Sequence, residues 1–168
     1  VSMTETEKDP RTPAQKKRNA ALMRRVHAAR KRIARFRKSE TKTIAVLEGA
    51  LDLVKDKRFW ATDEWFNLAG DLDRKDDGPA DYNSLCRVAT VAGVTPEERV
   101  ISVCAEGAIY LAANGLIDGR EVIQTLNDTA TVKDVGGSIM GVNDSEGQKA
   151  TVKVFRAAIK ELKAEAKR

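Results

Sequence analysis

Leu22, Val26, Ala29, Ile33 and Phe36 recur at spacings of four, three, four and three, a rhythm that only a helix turns into one continuous apolar stripe. From Ala14 to Lys38 good helix formers run without Gly or Pro, after the chain breaks of Asp9-Pro10 and Thr12-Pro13. Drawn straight, such a helix is about 37 Å long at 1.5 Å per residue. Everything around the stripe is basic. Residues 16–38 hold eleven Lys and Arg and no acid: Lys16, Lys17, Arg18, Arg24, Arg25, Arg30, Lys31, Arg32, Arg35, Arg37 and Lys38. A solvated helix face ordinarily alternates Glu with Lys, whose i,i+4 pairs offset repulsion, and this one has none to offer. A helix so charged needs a partner, or docking of its stripe on the rest of the chain, to be complete.

The charge is unevenly divided. Residues 16–43 hold twelve basic residues against Glu40 alone, whereas residues 44–168 hold sixteen basic against twenty-one acidic. The sequence therefore reads as three parts: a disordered tail over 1–15, a basic helical arm over 16–42, and a compact helical domain over 43–168. With 42% hydrophobic residues and eight aromatics, the core must be built mainly from Val, Leu, Ile and Ala. No apolar run approaches the roughly 20 residues that cross a bilayer, and the beginning of the chain offers no apolar signal stretch, so a cytoplasmic protein is expected. Cys86 and Cys104, without a CxxC spacing, read as free buried thiols.

Periodicity assigns most of the remainder to helices. Ile44, Leu47, Leu51 and Val54 predict a helix from Thr43 to Lys57, and Thr62 caps a short aromatic helix containing Trp65, Phe66, Leu68 and Ala69. A helix over 82–92 would turn Leu85, Val88 and Ala89 inward. Thr95, Pro96 and Glu98 look like the start of a helix that Gly115 stops, with Gly107 and Ala108 marking close approach of a neighbour. Asp118–Asn127 and the stretch from Gln148 onward are further helices. Residues 128–147, with Gly136, Gly137, Gly141 and Gly147, read as a long loop. The expected fold is all-α: a compact bundle of about five or six helices with a long basic N-terminal helical arm.

Residues 70–84, "GDLDRKDDGPADYNS", tempt comparison with a calcium loop. Aligned on Gly78, Asp73 and Asp77 fall on ligand positions, but Lys75 takes the third place and Ser84 the twelfth, where a bidentate Glu belongs. The match fails, and a solvated acidic loop that attracts the basic arm is the better reading. No phosphate loop, Rossmann fingerprint or zinc spacing occurs, so neither cofactor nor metal is expected.

The stretches "VCAEGAIYLAA" and "GVNDSEGQKATVKVFRAAI" resemble a family of short uncharacterised actinobacterial and phage proteins, with a Cys-x-x-Gly-Ala helix and an Asn-Asp turn before a last amphipathic helix. The likeness covers about residues 44–162. That family usually carries an aromatic before Asn-Asp, where this chain has Val142. That family has no assigned activity, so the resemblance implies an origin and a single small domain and does not point to a reaction. Cys104, Asn143 and Asp144 are the pieces of a thiol nucleophile site, but such a thiol needs a base, and the one histidine, His27, lies in the arm. Cys104 is better read as a small core residue, and Asn143 and Asp144 as turn formers capping the last helix. A non-enzymatic role follows.

The arm then implies a polyanionic partner. The eleven basic residues suit phosphates of DNA or RNA, or a ribonucleoprotein surface, read without base specificity, since no RNP, KH, zinc-finger or helix-turn-helix signature is present. The alternative is a protein-interaction module, such as a phage factor on a host protein or a virion assembly component, with the arm on an acidic protein surface. The stripe also offers a seam for a homo-oligomer. Membrane insertion would be shallow, because Phe36 is the stripe's one aromatic.

Overall fold

The computed structural model describes residues 9, 11–62, 66–69 and 96–168. The acidic loop over 70–84, the helix expected over 82–92, Cys86, Trp65 and the Thr95 cap lie outside the described residues. Those residues form seven α-helices and one two-stranded ribbon: α1 Pro13–Ile33, α2 Ser39–Val54, β1 Phe66–Leu68, β2 Val100–Val103, α3 Ala105–Ala113, α4 Gly119–Asn127, α5 Ala130–Asp134, α6 Ile139–Ser145 and α7 Gly147–Glu165. A single 3-10 turn, Pro96–Glu98, precedes β2. The architecture is a mostly α compact bundle.

α1 starts on a reciprocal capping box: the Gln15 backbone N–H donates to Thr12 Oγ1 at 3.1 Å, and the Thr12 N–H donates to Gln15 Oε1 at 2.9 Å, with Pro13 at the first helical position. Its stripe is spent inside the chain. Leu22, Val26 and Ile33 are wholly buried, and Met23 and Ala29 nearly so, against α2, β2 and α3. Docking on the rest of the chain thus completes the basic helix. The helix does not run on to Lys38. It stops at Ile33, the chain turns through 34–38, and Phe36, last of the stripe, stays exposed. No Gly or Pro forces this break. α2 must fold back so that Ile44, Leu47 and Ala50 reach the core, and that burial outweighs the local preference to continue.

α2 is the central element, touching α1 on one side, α3 and α7 on others. Where α1, α2 and α3 converge, the close approach is made by Gly49. A β-carbon there would stand 2.8 Å from Ala29 Cβ and 3.6 Å from Ala112 Cβ. Gly107 and Ala108, the sequence candidates for close packing, are both buried in α3.

Three expectations are corrected. The helix from Pro96 divides into the 3-10 turn, β2 and α3, because Val100–Val103 pairs antiparallel with β1 in the register Phe66 with Val103 and Leu68 with Val100. β-branched Val and Ile suit that half-buried ribbon, and the pairing overrides a helical period that is also present. By the same pairing Phe66, Asn67 and Leu68 are a strand, not part of an aromatic helix. Residues 128–147 are not a loop but two short helices. Gly136 and Gly137, at φ +129° and +85°, supply the left-handed turn between α5 and α6. α5 starts on Thr129 and on Glu161 of α7, whose carboxylate accepts from the Ala130 and Thr131 N–H groups at 2.8 and 3.1 Å.

Candidate functional site

Two places have functional chemistry: the outward side of α1, and a buried polar knot where the ribbon meets α3 and α6.

On α1 the cations divide into an inner and an outer set. Arg30 is mostly buried. Its Nε donates to the Leu111 carbonyl at 2.8 Å, while both Nη groups fork onto the Glu97 carboxylate. Arg25 donates to the Asp52 carbonyl at 3.0 Å, pairs with Asp56 at 2.9 Å, and stands 5.2 Å from the Phe59 ring centroid. Arg32 faces Asp52 at 3.7 Å, Lys16 faces Asp9 at 3.3 Å, and Arg18 is half-buried. Asn19, also buried, donates to the Glu97 and Val100 carbonyls, both at 2.7 Å. Asn19, Arg25 and Arg30 fasten α1 to the bundle.

The outer set is different. Lys17, Arg24, Lys31, Arg35, Arg37 and Lys38 are exposed and make no ion pair with any described residue. Lys17, Arg24 and Lys31 are seven residues apart, which aligns them on one face at intervals of about 10.5 Å. Arg35, Arg37 and Lys38 extend the row through the connection to α2.

In the polar knot, Asn143 is 0% exposed. Its Oδ1 accepts from the Trp60 indole N–H at 2.9 Å and from the Ala105 backbone N–H at 3.1 Å; its Nδ2 donates to the Ala61 carbonyl at 3.0 Å and to Asp144 Oδ1 at 2.9 Å. Asn143 is therefore a hub inside α6 and does not cap the last helix. α7 begins at Gly147 without a side-chain cap. Cys104 is the N-cap of α3, its Sγ accepting from the Gly107 N–H at 3.5 Å. Burial pushes its thiol up to about 12. Beside it Glu106 is 7% exposed, and burial, then the charge of Asp144, raise its pKa. The sequence pieces Cys104, Asn143 and Asp144 do come together. Burial disfavours the Cys104 thiolate, and His27 is exposed on α1.

Sequence reading missed Asn143 as a hub, because its partners come from segments some 40 and 80 residues away. It also missed the tethers Arg25 and Arg30, which composition alone does not separate from the outer cations.

Fold and site together define a small helical domain with a basic outer face and a polar knot at the ribbon. A family of unknown function, DUF6197, matches residues 38–161, and the chain belongs to that family. No curated protein and no solved structure matches it significantly. α1 lies ahead of the matched residues, yet supplies one wall of their core.

Proposed function

We propose that the protein is a non-enzymatic accessory factor that binds nucleic acid, or a ribonucleoprotein surface, through the outer face of α1 and the 34–38 connection, without base specificity. The carrying observation is the sorting of charge. Arg25 and Arg30, turned to the bundle, hold carboxylates and carbonyls, while Lys17, Arg24, Lys31, Arg35, Arg37 and Lys38 meet solvent with no carboxylate among the described residues to neutralise them. A phosphate chain supplies that charge and releases its counterions on contact. The row belongs to no recognisable base-reading motif and suits phosphate contacts, so affinity should depend on salt and hardly on sequence. The resemblance to actinobacterial and phage proteins favours the bacterial cytoplasm as its setting.

The second reading, a module that docks on an acidic protein, is favoured by Phe36. It is an exposed aromatic amid Arg35, Arg37 and Lys38, as an interface anchor would be.

Titrating a labelled oligonucleotide against salt tests the first reading. Replacing Lys17, Arg24 and Lys31 by Gln should lower the slope of log K against log salt by about 2 to 3, at 0.7 to 0.9 per phosphate contact. An unchanged slope sinks it. Arg25 and Arg30 are unsuitable for this test, since their loss would loosen α1.

A further inference from the structure

α7 carries a second basic face. Lys149, Lys153, Arg156 and Lys160 follow one another at spacings of four, three and four, so they align along about 16 Å of helix. All four are exposed, and none pairs with a described carboxylate. The opposite side of α7, with Thr151, Val154, Phe155, Ala158 and Ile159, is buried, which fixes the basic side outward. The end of α2 forms a facing wall with Lys55 and Lys57. Gln148 holds the two elements in place, its Nε2 donating to the Val54 carbonyl at 2.8 Å. The result is an open groove with six cations and no carboxylate among its lining residues.

We infer that this groove is a second contact surface for a phosphodiester strand. It takes its class of ligand from the reading proposed above. The row is too long for one phosphate group and suits several in succession. Its only apolar lining is Val152 and Ala157, too little to enter a lipid surface. The groove also adjoins the α1 face. Asp52 Oδ1 accepts from Lys55 at 2.7 Å while its Oδ2 faces Arg32, in the last turn of α1, at 3.7 Å, so one carboxylate links a groove cation to α1. A strand lying in the groove passes from α7 over the end of α2 toward the last turn of α1.

The test uses the full chain and a labelled 20-nucleotide single strand across a salt series, with phosphatidylserine vesicles in parallel. One variant carries Lys153→Gln, Arg156→Gln and Lys160→Gln; a second carries Lys17→Gln, Arg24→Gln and Lys31→Gln; a third carries Lys153→Arg and Lys160→Arg. The groove variant should bind more weakly with the salt slope reduced by about 2, at 0.7 per single-strand phosphate contact, and the arginine variant should match the unaltered protein. Circular dichroism should be unchanged, as every altered side chain is exposed. If the groove variant binds normally while the α1 variant weakens, the groove is overturned and the α1 reading stands. Should the unaltered chain ignore the oligonucleotide, both fail, and binding to vesicles in that case assigns the groove to lipid headgroups.

Discussion

Asn143 illustrates how one side chain can hold three segments. Truncating it to Ala would strand the Trp60 indole, the Ala105 N–H and the Ala61 carbonyl, and a buried polar group without a partner costs about 1–3 kcal/mol. Asn143→Ala should therefore lower unfolding stability by about 3 kcal/mol or more, read from a urea midpoint, with the tryptophan fluorescence of the native state altered. A loss below about 1 kcal/mol would contradict the hub. Glu106 gives a prediction of opposite sign. Its carboxyl is harder to ionise folded than unfolded, because burial and then Asp144 oppose the charge. The folded state holds this proton to higher pH than the unfolded state. Stability from this group is therefore present at low pH and declines as pH rises above the usual Glu range. Glu106→Gln should remove that decline and leave the protein more stable than its parent at pH 7, as thermal melts at pH 4 and pH 7 would report. Neither role was legible beforehand. Asn-Asp reads as a turn in any local window, and Glu106 falls in the middle of the helix expected between Thr95 and Gly115; burial in each case comes from elements distant in sequence.

Among the elements, helices with a clean apolar period were legible almost to their ends: Gly119–Asn127 and Gly147–Glu165 lie where spacing put them. What escaped were the places where a tertiary contact decides between two acceptable local forms. Val100–Val103 is both a helical continuation and a β-rich tetrapeptide, and only a partner strand chooses. Gly49 escaped for a related reason. It interrupts nothing in α2, and its need is visible only once α1 lies against it. Gly49→Ala should force α1 and α2 apart at Ala29 and cost about 1–3 kcal/mol, the usual range for overpacking. Adding Ala29→Gly should return part of that loss, since it removes the atom at 2.8 Å, although Gly in a helix costs about 1 kcal/mol itself. A double-mutant cycle with no coupling would place the contact elsewhere.

For the molecule as a whole, the basic helix belongs to the core as much as to the surface. A fragment of residues 38–168 keeps nearly all that the family model matches, but loses Leu22, Val26 and Ile33 from against α2 and α3. It should unfold without a sharp transition and bind the dye ANS, where the full chain does neither. The tethers that hold α1 have a further consequence, in the order of synthesis. Asn19 waits for the carbonyls of Glu97 and Val100, and Arg30 for that of Leu111, at separations of 78, 81 and 81 residues. At roughly 5–20 residues per second, α1 stands for about 4–16 s before the partners of these tethers exist.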